Sequence, residues 1–388
     1  MRDSVGEQRR VCFVTGTRAE FGLMRTALEA MRRHPRLRLQ IVVTGMHLDR
    51  EHGEGLAEIR RAGFEVDAVV RWPPRSGRSA AVTAQHTGRA MAELARTFER
   101  LRSDIVLVVG DRVEALAGAA AGHLSQRVVA HVHGGDRASG QIDDSVRHAI
   151  TKLSHVHFPA TAKSARRIER MGEEKWRIHE VGCPGVDGIA ESAEAWEVVA
   201  EAFGGLKARR YAMVVLHPVE MDERVEERRA GRVLEAVRSA GFERVVVVYP
   251  NNDPGSGGIV KCWKEKGNGE RFLVRRDVPR GVFLGLLRDA AVLVGNSSSG
   301  IIEAASFGTA VVDIGRRQAG RERSGNVIHC EYDPSVMRGI LRGIWGGGRA
   351  RRMRCRNVYG GDGAGARMAD ILAQAELGPR LLRKLIRY

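Results

Sequence analysis

Ten short runs of β-branched and aliphatic residues punctuate this 388-residue chain, and their spacing leaves few folds open. They read VCFVTG (11–16), LQIVVTG (39–45), DIVLVVGD (104–111), VVAHVHGG (128–135) and VHFPA (156–160). The second set reads YAMVVLHP (211–218), RVVVVYPN (244–251), RFLVRR (271–276), AVLVGN (291–296) and TAVVDIG (309–315). Continuously apolar strands must be covered on both faces. Stretches of helical length separate the runs, so the pattern predicts parallel strands joined by crossover helices, an α/β doubly wound fold. Between residues 185 and 210 a helical segment ends in Gly-Gly and a basic patch before the second set of strands begins. A boundary near 190 follows: residues 1–190 form one Rossmann-like domain and 191–388 another, with an interdomain cleft. The last helical text, RMADILAQAEL, is expected to pack back on the first domain. PNNDPGSGGIVKCWKEKGNG (250–269) reads as a long loop around a short helix.

The net charge of +16 raises a nucleic-acid reading. Against it, Arg is scattered along helical faces among Asp and Glu, and aromatics are only 5%, too few for a base-stacking platform. A solvated Arg-rich surface, or an anionic small substrate, suits the charge better. Five dispersed cysteines without a C-x-x-C pair suit a reducing, cytoplasmic compartment. The charged start MRDSVGEQRR lacks the apolar core of a signal peptide. No run approaches the roughly 18 apolar residues that would span a bilayer, so no membrane partner is expected.

In open parallel sheets, ligands bind at the carboxyl ends of the strands. Here those ends carry Thr15-Gly16-Thr17-Arg18, Gly110-Asp111-Arg112, His133-Gly134-Gly135-Asp136, His217-Pro218, Asn251-Asn252-Asp253 and Asn296-Ser297-Ser298-Ser299. GNSSSGIIE (295–303) is a strand, then small residues, then a helix, which offers free backbone N–H groups to an anion. The bland alternative is an N-cap closed by Glu303 in a capping box. TGTRAEFG (15–22) resembles a phosphate loop without matching either glycine fingerprint. Arg18 and Arg317 are anion clamps suited to a diphosphate leaving group. Asp143 and Arg147 stand four apart and can share a helix face, and a buried carboxylate near Asp111 would serve as a general acid or base. The pairs His131-x-His133 and His155-x-His157 make zinc geometrically possible, since i and i+2 in a strand share a face. His217, at a strand end, is a ligand-binding candidate.

The ordered set TGTRAEFGLMR, TGMHL, GDRVEALAGA, HVHGGD…IDDSVRHAITKLSHVHF, RMGEEKWRIHEVGCPG, LHPV, YPNND, GNSSSGIIEAASFGT and IGRRQAGRE…NVIH resembles the hydrolysing UDP-N-acetylglucosamine 2-epimerases, from about residue 11 to 330. The resemblance implies a GT-B-like fold and UDP-sugar chemistry without a metal or other cofactor. UDP leaves by anti elimination to a 2-acetamidoglucal, and water then adds in syn fashion. It implies nucleotide contacts from Ser297, Ser298 and Glu303, the last on the ribose. It also implies phosphate contacts from Arg18 and Arg317, cleft positions at His47 and Asn251, and catalytic or sugar-binding roles for Asp111, Asp143 and His217, with Arg147 orienting Asp143. One departure stands out. Some relatives carry an acid/base Glu where this chain has His133, so the second acid/base here falls to His133 or Asp136. Relatives are dimers or tetramers, which implies a homo-oligomer. The rival readings are the same chemistry on UDP-N,N'-diacetylbacillosamine, a non-hydrolysing epimerase, a glycosyltransferase and a non-catalytic nucleotide-sugar binder.

Overall fold

Twelve strands are present among the described residues of the computed structural model, which are 8–48, 55–71, 80–137, 142–250, 253–267, 269–346, 348, 350–360 and 362–387. They are β1 (Arg9–Thr15), β2 (Leu37–Val43), β3 (Ala68–Val69), β4 (Ile105–Val109), β5 (Val128–Val132), β6 (Val156–Phe158), β7 (Tyr211–Val215), β8 (Arg244–Val248), β9 (Phe272–Arg275), β10 (Val292–Gly295), β11 (Ala310–Ile314) and β12 (Val327–Cys330). Ten correspond to the apolar runs. Of the four edge strands, β3 and β12 carry no such run.

The chain divides into two compact units. One takes the described parts of Met1–Asp136, Ile142–Asp187 and Gly361–Tyr388; the other takes those of Arg137–Gln141 and Gly188–Gly360. Each holds a six-stranded sheet, in the orders β3-β2-β1-β4-β5-β6 and β12-β11-β10-β7-β8-β9, with every pair parallel. Read from the other edge, the second order repeats the first. The winding reverses between β1 and β4 in one unit and between β7 and β10 in the other, and such reversal points are where doubly wound sheets bind ligands.

Alternation along the strands explains the two-sided core. Val11, Phe13, Leu107, Ala130 and Val132 face helix Arg18–Arg33 on one side of the first sheet. Cys12, Val14, Val106, Val108 and Val129 face helices Ala80–Arg100 and Val113–Leu124 on the other. Helix Ala364–Gln374 belongs to this first unit, and its Met368, Ala369, Leu372 and Ala373 complete the first of these cores. Gly365 permits that packing: a Cβ there would lie 2.8 Å from the Cα and N of Ala27, in fixed backbone. Gly365→Ala is therefore expected to destabilise by about 1–3 kcal/mol, read as a lower urea midpoint. Gly343→Ala, at an exposed helical glycine with open space around it, is the control expected to hold or raise the midpoint.

The short helix expected within the loop at 250–270 runs for three turns, Ser256–Lys266, and is buried through Ile259, Cys262 and Trp263. A Cβ at Gly258 would lie 1.9 Å from the carbonyl oxygen of Glu223, so the neighbouring helix Glu223–Ala240 requires glycine there. No helix among the described residues is long and apolar enough to cross a membrane.

Candidate active site

At the first reversal point the turn after β1 is less open to anions than TGTRAEFG suggests. The amides of Gly16 and Thr17 both donate to Glu20 Oε2, at 2.7 and 3.0 Å, and the Glu20 amide donates to Thr17 Oγ1 at 3.2 Å. This is a complete capping box on helix Arg18–Arg33, so the helix's own carboxylate takes the amides a phosphate would need. Burial pushes Glu20 up to about 7, against the pull of the Arg112 cation. Arg18 opens the helix and sits close enough to His47 to act on it. Burial first, then Arg18, lowers His47 to about 4, so it is neutral. His47 Nε2 pairs with Thr15 Oγ1 at 2.9 Å, and its Nδ1 is buried without a hydrogen-bond partner.

Across the reversal, Asp111 follows β4 and is partly exposed. Its Oδ2 accepts from Nη2 of Arg147, which is 1% exposed, and Arg147 Nη1 donates to the carbonyl of His133 at 2.9 Å. The hydrogen bonds of Arg147 thus go to Asp111 and a backbone carbonyl, where the sequence suggested Asp143. Asp143 itself opens helix Asp143–Leu153 and is partly buried.

His133 and Asp136 are buried together. His133 Nδ1 pairs with Asp136 Oδ2 at 3.0 Å and its Nε2 with Cys183 Sγ at 3.1 Å. Asp136 Oδ1 accepts from Ser164 Oγ at 2.7 Å. The zinc reading fails here for a geometric reason. β5 ends at Val132 and His133 turns to a φ of +60°, so His131 and His133 are not i and i+2 of one strand. His131 pairs with the Gly110 carbonyl at 2.8 Å and His157 with Glu173 at 3.0 Å. Among the described residues no group of three or more His, Cys, Asp or Glu is arranged to hold a metal ion.

The second reversal point is stitched by Asn296, one of the polar strand-end residues. Its Oδ1 accepts from the His217 amide at 2.7 Å and its Nδ2 donates to the His217 carbonyl at 2.8 Å. Its own carbonyl accepts from Arg317 at 3.2 Å and from Gln318 at 2.9 Å. Gly295, at φ +139°, lets β10 approach β7 here, since a Cβ would lie 2.0 Å from the Val215 oxygen. Burial, aided by Arg317, lowers His217 to about 3, so it is neutral at physiological pH.

Ser297 caps the short helix Ser298–Ile302 through the Ser299 amide, and its hydroxyl pairs with that of Ser299 at 2.7 Å. Glu303 does not close this cap. It lies six residues beyond Ser297, at a break before Ala304–Phe307. Its Oε1 instead accepts from Arg280 Nη2 at 2.6 Å, while Oε2 is buried without a partner. A carboxylate held by one oxygen, with the other desolvated and unmatched, is suited to receive a ligand hydroxyl. Arg280 was invisible to motif reading because it stands alone, 23 residues before Glu303. Asn251 lies outside the described residues.

Two parallel six-stranded units of one winding, each with polar residues gathered at its reversal point, define a Rossmann-type GT-B-like α/β protein. The sequence model of UDP-N-acetylglucosamine 2-epimerase matches residues 29–373. The chain is 35% identical to the UDP-N-acetylglucosamine 2-epimerase of Neisseria meningitidis over 84% of each protein. It is also 35% identical to the hydrolyzing UDP-N,N'-diacetylbacillosamine 2-epimerase of Legionella pneumophila, over 98% of this chain and 100% of that one. The crystal structure of a Neisseria meningitidis UDP-GlcNAc 2-epimerase bound to UDP-GlcNAc superposes with a TM-score of 0.80 at 18% identity, covering 94% of this chain and 100% of that one. The chain belongs to the UDP-N-acetylglucosamine 2-epimerase family.

Proposed function

We propose that this protein is a hydrolysing 2-epimerase that converts UDP-N-acetylglucosamine to N-acetylmannosamine and UDP. The observation that carries this reading is the partly exposed carboxylate of Asp111, held by Arg147 at a reversal point. The end-to-end likeness to a relative described as hydrolyzing supports it. In this reading the C1–O bond to UDP breaks ahead of C2–H removal, because the C2 proton is barely acidic. Positive charge then develops at C1 and negative charge on the departing diphosphate. Arg18 and Arg317 stabilise the diphosphate, neutral His217 donates a hydrogen bond, and Ser297, Ser298 and Glu303 hold the nucleoside. Asp111 and Asp143 exchange the C2 proton and activate the water that adds to the glycal. His133 and Asp136, each engaged by buried protein groups, support the site instead of meeting the sugar.

The Legionella relative supports a second reading in which the sugar is N,N'-diacetylbacillosamine. Incubation of each UDP-sugar in deuterated water, followed by NMR, tests both. Free UDP with N-acetylmannosamine deuterated at C2 is the expected result. Turnover of the bacillosamine nucleotide alone selects the second reading, and UDP-N-acetylmannosamine without free UDP overturns the hydrolytic step.

The clamp on Glu303 makes a separate prediction. In Arg280→Gln the carboxylate is free to turn, so the preference for UDP over 2′-deoxy-UDP should fall by about tenfold, the worth of a charged hydrogen bond. Titration calorimetry with the two nucleotides measures the ratio; an unchanged ratio removes Arg280 from ribose recognition.

A further inference from the structure

His133 occupies a backbone conformation that side-chain-bearing residues avoid, and something must hold it there. Its φ of +60° crowds the Cβ of an L-residue against the backbone, and such residues persist where the surroundings over-determine them. Four contacts do so. The His133 amide donates to the Phe158 carbonyl at 3.1 Å, and its carbonyl accepts from Arg147. The ring is pinned at both nitrogens, by Asp136 on one side and Cys183 on the other. Asp136 belongs to the same turn and is tied to Ser164, whose hydroxyl also accepts from Thr161 Oγ1 at 3.2 Å. Cys183 is different: it comes from the segment after β6, 50 residues away, and is fully buried.

The turn has little freedom to adjust. A Cβ on Gly135 would lie 2.4 Å from the Ser164 carbonyl oxygen, and one on Gly134 would lie 2.9 Å from His131 Nδ1. The direction of the His133 carbonyl therefore follows the ring's anchorage. That carbonyl is one of the two groups Arg147 bonds; the other is Asp111, and Arg147 Nε has no partner. We infer that Cys183 is a positioning residue: its sulfur fixes the His133 ring, the ring fixes the left-handed turn, and the turn's carbonyl aims Arg147 at Asp111. This inference rests on the proposed role of Asp111. It explains why a histidine can stand at this position without acting on the sugar, and it gives the buried thiol a task other than filling space.

The test compares Cys183→Ser, whose hydroxyl can still pair with Nε2, with Cys183→Val, which fills the volume but cannot, in the full-length enzyme. Cys183→Ala serves if the valine protein does not fold. With UDP-N-acetylglucosamine, or the bacillosamine nucleotide if that is the substrate, Val should lower kcat by about 10- to 100-fold, the scale of a displaced catalytic group. KM and the UDP dissociation constant should stay within about twofold, and Ser should retain kcat within a few-fold. A crystal structure of the Val or Ala variant should show Arg147 turned away from Asp111, a readout independent of turnover. Wild-type kcat in the Val or Ala variant, equal losses in Ser and Val, or an unmoved Arg147 overturns the inference. If the wild-type protein turns over neither nucleotide, the proposed function fails, and the Arg147 geometry alone decides whether Cys183 positions it.

Discussion

Asp111→Asn should lower turnover by at least about a hundredfold, the contribution of a positioned acid or base, while leaving UDP affinity within a few-fold. The substitution is nearly isosteric, and an amide oxygen can still accept from Arg147, so it removes the charge without the contact. UDP affinity should survive because every group assigned to UDP except Arg18, namely Ser297, Ser298, Glu303, Arg280 and Arg317, belongs to the other unit. A matched pair of measurements, kcat by UDP release and UDP binding by calorimetry, separates the two effects. Near-normal turnover would take Asp111 out of the chemistry. A parallel loss of UDP affinity would recast it as a binding group. Asp143→Asn in the same assay tells which carboxylate handles the C2 proton: the variant that still releases UDP slowly but incorporates no deuterium at C2 has lost that one.

The fold was largely legible because its information is local. Strands such as VVAHV and RVVVV are apolar on both faces, and that pattern alone requires helices on both sides of the sheet. Two of the four edge strands were not, because β3 has only two residues and β12 is only partly buried, with His329 exposed, so neither has a continuous apolar run. Strand order was also hidden, and with it the reversal points that turn six scattered polar strand ends into two gathered sets. The candidate site was legible as residue types but not as partnerships. Spacing offers Arg147 to Asp143 four residues away, but the folded chain bonds it to Asp111, 36 residues back in sequence. Glu303 meets Arg280 and His133 meets Cys183 by the same non-local logic. The TGTRAEFG turn shows the opposite limit: a capping box and a phosphate loop draw on the same amides, and only the folded position of Glu20 chooses between them.

Asp136→Asn carries the largest expected effect on stability, about 3–5 kcal/mol, the penalty for removing one partner of a buried ion pair. Burial alone would depress His133, but the Cys183 sulfur and the Asp136 carboxylate outweigh it and push the ring up to about 10. At neutral pH the ring is therefore a buried cation. The Asn oxygen can still accept from Ser164 in place of Oδ1, but an NH2 then faces His133 Nδ1 in place of Oδ2, so both the charge and that acceptor are lost. The sign of the pH dependence follows from the raised value. A histidine that titrates near 6.5 unfolded and near 10 folded contributes stability that is complete below 6.5 and drains away as the pH rises through 10. Weakening its negative partner lowers the folded value and removes part of that dependence. The gap in unfolding free energy between wild type and Asp136→Asn should be widest near pH 6 and should narrow steadily toward pH 10. Urea titrations of both proteins across this range measure it. Titration of common groups that are not coupled to His133 or Asp136 cancels in the difference. Two curves that stay parallel from pH 6 to 10 would mean that His133 is neutral in the native protein, and Asp136 would then stabilise the turn through neutral hydrogen bonding alone.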